Sequence, residues 1–205
     1  LSETTEIYGA EPLLTRRAVS PEVGEKLIAR IRWWEDYCER NGGEMNNNPS
    51  PGNKRGGLTT ILEKSLGAVA KGGSAPLEDV YLFGEPITKK GFVFMDSPGY
   101  DPCSVTGQIA SGANLIVFTT GRGSVSGYKP VPCIKVATNT EMYNHMSEDM
   151  DLNAGDIVSA GVDLRAKGEE LFELFIRTAS GEVTKSEGLG FGGAEFVPWQ
   201  IGAVM

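Results

Sequence analysis

The chain has 205 residues, 40% hydrophobic and 22% charged, which is enough to bury a core as one large domain or two small ones. Its formal net charge of −8 argues against a nucleic-acid partner, because phosphate binding needs clustered lysine and arginine. No apolar run approaches the roughly 18 residues of a membrane span. The three cysteines form no CxxC pair, which argues against a disulfide framework or a zinc site and favours a reducing, cytoplasmic location.

Helix and strand patterns alternate along the chain. The first helix is predicted to begin at Ser20, with Pro21 in its first turn, and to end before Asn41. A second helix is predicted at about 58–70. Apolar runs predict strands at 80–83, 92–95, 115–119 and 134–137, and helices at 104–111, 141–150 and 162–178. Because the runs are continuous rather than alternating, we expect an α/β fold: a mainly parallel, Rossmann-like sheet of at least four strands with helices on both faces.

Three loops are rich in glycine, asparagine and threonine: residues 46–57, 95–102 and 118–124. The last two follow predicted strands, and ligands of open parallel sheets bind beyond the carboxyl ends of the strands. Glycine lets backbone amides approach an anion closely, so we expect the three loops to converge on one pocket for an anionic ligand. The loops lack GxGxxG and Walker spacing, which disfavours a nucleotide.

The first loop and the helix after it carry candidate residues for binding and proton transfer. Asn53 and Lys54 lead into the predicted helix at 58–70, whose N-terminus favours an anion, so they are predicted to bind substrate. Lys64 lies on that helix and is the predicted proton-abstracting base, since burial lowers the pKa of a lysine. Glu63 and Lys64 are adjacent, so only one of them readily faces a site. A surface turn and a solvated helix face are the alternative interpretations.

The loops at 95–102 and 118–124 add further candidates. Asp96 comes directly after a predicted buried strand, where a carboxylate is well placed to be a ligand, although an aspartate is also common in turns. Arg122 is predicted to clamp a substrate carboxylate with its planar guanidinium. His145 is the single histidine, which counts against hydrolase mechanisms. The residues predicted to bind substrate beside Arg122 are Thr119, Thr120 and Gly121.

Several motifs in the same order resemble the altronate/galactarate dehydratase family, over nearly the whole chain. They are SETTE from Ser2, PSPGNK from Pro49, GGLTTI from Gly56, EKSLG from Glu63, MDSPGYD from Met95, FTTGRG from Phe118, IKVATN from Ile134, DMDLNAG from Asp149 and FVPW from Phe196. Enzymes of this family are longer, with a small β-rich domain ahead of the matching part. Since the chain begins at Leu1 and not at a methionine, we expect residues 1–205 to be the C-terminal, catalytic-type α/β domain of a longer dehydratase.

The resemblance implies that a sugar acid such as altronate or galactarate loses water to give a 2-keto-3-deoxy acid, with a divalent metal, Fe²⁺, as cofactor. It also implies a homodimer in the full-length enzyme. It places the opening segment at the end of a preceding strand, so Glu3 and Glu6, with Asp96, are predicted metal ligands. A solvated acidic terminus is the alternative for the two glutamates.

Two other functions stay open at this point. Some family members eliminate sulfite from a sulfonated hydroxyacid, and the sequence does not separate that reaction from dehydration. A chain without its N-terminal part is also compatible with a non-catalytic binding or dimerisation module.

Overall fold

The computed structural model describes residues 1–45 and 51–202, which divide into two compact units. The first unit consists of Leu1–Gly112 together with the C-terminal residues from Val197, and the second of Ala113–Phe196. Across the described ranges, no helix has both the length and the apolar character that crossing a membrane would require.

The first unit is built on two parallel strands. Its elements are a 3₁₀ turn at Thr4–Ile7, α1 Pro12–Thr15, α2 Pro21–Arg40, α3 Pro51–Arg55, α4 Ile61–Ala70, β1 Leu77–Tyr81, β2 Phe92–Met95 and α5 Asp101–Ala110. Strands β1 and β2 run parallel, with Tyr81 opposite Met95. Their outer edges are also paired, because Ala18 bridges to Leu77 and Ser2 bridges to Met95, both in the parallel sense.

Helix α2 supplies much of the core of the first unit. Its apolar residues recur every three or four positions and are buried against the strands, among them Leu27 and Ile31. Farther along the helix the fully buried Trp34 stacks on Trp199, with 5.1 Å between ring centroids and 8° between planes. The C-terminal segment is therefore fixed to this unit by aromatic packing.

The second unit contains a three-stranded parallel sheet in the order β3-β4-β5. Ile134 and Val136 of the central strand pack against Leu174 on one face of the sheet. Lys135 points to the opposite face and is fully buried there. The elements are β3 Ile116–Thr120, β4 Cys133–Ala137, α6 Thr140–His145, β5 Leu152–Asn153, α7 Asp156–Ser159, α8 Leu164–Ala179 and α9 Lys185–Gly188.

The predicted α/β class with parallel strands is confirmed, and the strand at 92–95 has the predicted bounds. The described strands form one sheet of two and one of three, instead of the single sheet of at least four that we expected. The pairing of β2 explains this difference. One edge of β2 meets β1, and the other meets the first residues of the chain, where the Met95 N–H donates to the Leu1 carbonyl at 2.9 Å. No edge of β2 is left for β3.

Candidate functional site

Asp96 lies directly after β2, at the strand end where the sequence placed it, and its side chain is buried. Its Oδ1 accepts hydrogen bonds from the Thr4 hydroxyl at 2.5 Å and from the Trp34 indole N–H at 2.7 Å. The Arg30 Nε lies 3.5 Å from Oδ2. Burial raises the pKa of the Asp96 carboxyl, and the bonds from Thr4 and Trp34 and the Arg30 charge only partly offset this rise. Both oxygens thus face donors of the first unit.

The segment from Ser2 to Glu6 lies beside this strand end in an unusual conformation. Among the described residues, Glu3 is the only non-glycine with a positive φ, at 76°. Its backbone N–H donates to Ser97 Oγ at 3.0 Å, and the Thr4 N–H donates to the Ser97 carbonyl at 3.0 Å. A left-handed glutamate costs on the order of 1–3 kcal/mol, and such strain persists where the surroundings over-determine it, often at functional sites.

Acidic and basic side chains gather at this segment. Lys64 Nζ forms an ion pair with Glu6 Oε1 at 2.9 Å, with 25% of the lysine side chain and 10% of the glutamate side chain exposed. Burial, reinforced by the negative charges of Asp101 and Glu6, raises the pKa of Glu3 to about 8 although Lys71 and Lys64 act against the rise. Desolvation and the negative charge of Glu6 also raise the pKa of Asp101, an exposed residue at the start of α5. We call Glu3, Glu6, Asp101 and Lys64 the acidic cluster.

A network of buried hydroxyl groups supports the acidic cluster, and the sequence analysis missed it. Ser104 Oγ lies 2.8 Å from Ser2 Oγ and 3.0 Å from Ser97 Oγ. The Gln108 amide also donates to Ser2 Oγ. Ser97 follows the strand-end aspartate directly, and that position in the sequence was the one available signal. The other serines are brought in by folding alone.

The adjacent residues Glu63 and Lys64 of α4 contact different groups, so only Lys64 faces the acidic cluster. Glu63 accepts hydrogen bonds from the Thr59 N–H and hydroxyl, both at 2.9 Å, at the start of α4, and Lys64 contacts Glu6. Asn53 and the exposed Lys54 lie on the short helix α3, and their role in substrate binding stays a prediction. The part of that loop from 46 to 50 lies outside the described residues.

Two of the three predicted metal ligands Glu3, Glu6 and Asp96 have other partners in this structure. Asp96 already accepts hydrogen bonds from Thr4 and Trp34, and Glu6 is paired with Lys64. In residues 1–45 and 51–202, no group of three or more histidine, cysteine, aspartate or glutamate residues could hold a metal ion. Metal binding by this set stays a prediction.

Thr119, Thr120, Gly121 and Arg122 lie at the carboxyl end of β3 in the second unit, as the sequence predicted. Thr120 Oγ1 accepts hydrogen bonds from the N–H groups of Arg122 at 3.2 Å and Gly123 at 3.1 Å, which tightens the turn. The Arg122 side chain is exposed. The expected convergence of this loop with those of the first unit stays a prediction.

A pocket of about 450 Å³ opens elsewhere in the first unit, between α2 and the end of β1. Arg30, Trp33 and Tyr81 are among its lining residues. None of the predicted site residues lines it, so we place the candidate site at the acidic cluster.

Fold and site together define an α/β protein with a carboxylate–lysine cluster at the carboxyl end of a parallel strand. Residues 1–204 match the family described as D-galactarate/altronate dehydratase, C-terminal, and the chain belongs to this family.

Three curated relatives illustrate the match. The chain is 41% identical over 181 residues to galactarate dehydratase (L-threo-forming) of Escherichia coli K12, covering 88% of this chain and 35% of the relative. It is 37% identical over 187 residues to altronate dehydratase of Bacillus subtilis 168, covering 91% and 37%. It is 34% identical over 191 residues to the beta subunit of (2R)-sulfolactate sulfo-lyase of Chromohalobacter salexigens, covering 92% and 49%. The chain thus spans about a third to a half of the length of these relatives.

Proposed function

We propose that this chain provides proton-transfer and substrate-binding residues of a dehydratase that converts a sugar acid, such as altronate or galactarate, to a 2-keto-3-deoxy acid. The observation that carries the proposal is the Lys64–Glu6 ion pair. The charges of both residues act on Glu3, which lies beside the carboxyl end of β2. Family membership supports it, since two of the relatives are named as galactarate and altronate dehydratases.

The elimination breaks the C–H bond next to the carboxylate and the C–O bond at the neighbouring carbon, and it forms a C=C bond as water leaves. The enol product then tautomerises to the ketone. Negative charge develops on the substrate carboxylate when the proton is removed, so the site must stabilise an enediolate. A cationic side chain beside a carboxylate that accepts protons meets this need.

Lys64 was predicted as the base on the premise of burial, but it is paired with Glu6 and keeps a quarter of its side chain exposed. An ammonium group in an ion pair can stabilise the negative charge of the enediolate. It can accept a proton from the substrate only after it has given one of its own protons to Glu6. We therefore assign enediolate stabilisation to Lys64, and proton transfer to the Lys64–Glu6 pair acting as a unit.

Arg122 is the proposed ligand for a substrate carboxylate, because its guanidinium is exposed at a strand end and can donate two parallel hydrogen bonds. Thr119, Thr120 and Gly121 stay the proposed substrate-binding residues of that loop, with Asn53 and Lys54 in the first unit. We also propose an Fe²⁺ requirement and a homodimer, as the family resemblance implies, and a cytoplasmic location, which the three unpaired cysteines favour.

The test uses the natural protein that contains these residues, supplied with Fe²⁺ under reducing conditions and with altronate or galactarate, and it measures keto-acid formation. Lys64→Met should lower kcat by about 10²- to 10⁴-fold, the range for loss of a proton-transfer group. Lys71→Met is the matched control, because Lys71 lies in the same electrostatic field yet is exposed. Wild-type kcat in Lys64→Met with an unchanged Tm would contradict the assignment.

A second candidate function is sulfite elimination from a sulfonated hydroxyacid. The relative named as a sulfolactate sulfo-lyase subunit favours it, since the chain is 34% identical to that subunit over 191 residues. The same protein incubated with sulfolactate should release sulfite if this function is the correct one. If neither keto acid nor sulfite forms from any of the three substrates, the chain acts as a non-catalytic module.

A further inference from the structure

We propose that Asn139 is a positioning residue for the loop that carries Arg122. Its carboxamide ties Gly121 to the first turn of α6 and thereby fixes the direction in which Arg122 presents its guanidinium. The inference rests on the proposed function, in which Arg122 binds a substrate carboxylate. No role for Asn139 was predicted from the sequence.

Asn139 uses both ends of its carboxamide. As the N-cap of α6, it accepts a hydrogen bond from the Met142 N–H through Oδ1 at 2.7 Å. Its Nδ2 donates to the Gly121 carbonyl at 2.7 Å. An N-cap needs only an acceptor, so a serine or an aspartate would cap the helix equally well. Asparagine carries its donor on a second atom, Nδ2, whereas a serine or threonine cap has a single hydroxyl oxygen for both tasks.

The Arg122 loop is held against α6 on both sides of the arginine. On one side Gly121 takes the Asn139 bond, and a Cβ added at Gly121 would lie 3.3 Å from the Thr138 hydroxyl. On the other side Gly123 has a φ of 91°, and a Cβ there would lie 2.0 Å from the Met146 sulfur at the end of α6. Because neither glycine has a Cβ, the loop backbone can approach Thr138 and Met146 closely.

This arrangement leaves Arg122 with a fixed backbone and an exposed side chain. Its N–H donates to Thr120 Oγ1, the preceding Gly121 accepts the Asn139 bond, and the following Gly123 also donates to Thr120 Oγ1. A guanidinium that must meet a planar carboxylate in a fork geometry gains from such preorganisation, because less conformational entropy is lost on binding. Loss of the Asn139 bond should release Gly121 and leave the chemistry of Arg122 unchanged.

The test variant is Asn139→Ser, which keeps a cap oxygen for α6 and removes the Nδ2 group that donates to the Gly121 carbonyl. In the natural protein we expect KM for the sugar acid to rise about 2- to 10-fold, the effect of one neutral hydrogen bond, with kcat unchanged and Tm lowered by about 1–6 °C. Asp163→Ser is the matched control, because Asp163 caps α8 through Arg165 and Ala166 and, within residues 1–45 and 51–202, has no hydrogen bond to a neighbouring loop. It should leave KM unchanged.

A double-mutant cycle with Arg122→Ala separates positioning from a general structural effect. If Asn139 acts through Arg122, Asn139→Ser should add nothing to KM once Arg122 is alanine. A wild-type KM in Asn139→Ser, or an equal rise of KM in both backgrounds, overturns the inference.

Amide hydrogen exchange gives a readout that does not require activity. Exchange at Arg122 and Gly123 should be faster in Asn139→Ser than in wild type and unchanged in Asp163→Ser. Unchanged exchange at these amides overturns the inference even if the protein is inactive on all sugar acids. Inactivity of the wild-type protein, in contrast, counts against the proposed function alone.

Discussion

The buried carboxylate of Asp96 allows a quantitative test of its role at the strand end. Asp96→Ala would leave the Trp34 indole N–H and the Thr4 hydroxyl without their acceptor, and Arg30 without its ion-pair partner. Removing one partner of a buried charged network costs about 3–5 kcal/mol of unfolding free energy. Asp96→Asn keeps an oxygen for Thr4 and Trp34 and loses the Arg30 pair. We therefore expect a smaller cost of about 1–3 kcal/mol, which also includes relief from burying a charge.

Thermal unfolding of the natural protein measures these costs. With about 2–4 °C per kcal/mol for a domain of this size, Asp96→Ala should lower Tm by roughly 6–20 °C and Asp96→Asn by roughly 2–12 °C. Trp34→Phe is a useful companion, because it removes one donor and keeps an aromatic ring against Trp199. An unchanged Tm in Asp96→Ala would refute the structural role. Loss of bound metal from Asp96→Asn at wild-type Tm would show instead that Asp96 is the metal ligand the sequence predicted.

Four further predictions concern single positions. Gly155→Ala should lower the free energy of unfolding by about 1–3 kcal/mol, since its Cβ would lie 2.3 Å from the Thr140 backbone nitrogen. Gly67→Ala should raise the free energy of unfolding by about 0.5–1 kcal/mol, because Gly67 lies in α4 with open space around it. Burial lowers the pKa of Lys135, so its folded state binds fewer protons and stability should rise with pH up to the unfolded pKa of about 10.4. Lys135→Met should flatten the rise of Tm with pH below the unfolded pKa of about 10.4, and an unchanged slope would contradict this. Arg122→Lys should lower kcat/KM roughly 10- to 150-fold at normal Tm; wild-type kinetics would make Arg122 a surface residue.

The elements that the sequence predicted well are those with local signals. Helix α2 begins after Ser20 and ends before Asn41, as the cap residues and the apolar spacing indicated. The strand at Phe92–Met95 was found from its apolar run, and the end of that strand places Asp96. Short elements without such a signal were missed, such as the two-residue strand Leu152–Asn153, which depends on its neighbour β4 for its existence.

The sequence by itself thus determined the α/β class, the parallel strands and the strand-end positions of Asp96 and Arg122, because periodicity and turn residues act over a few positions. Only the tertiary structure decided what these side chains contact. The pairs Lys64–Glu6 and Trp34–Asp96 join residues 58 and 62 positions apart, and the Thr4–Asp96 bond joins residues 92 positions apart. Such contacts depend on how helices and strands pack, so no local pattern could show that Lys64 is an ion-pair partner or that Asp96 is enclosed by donors.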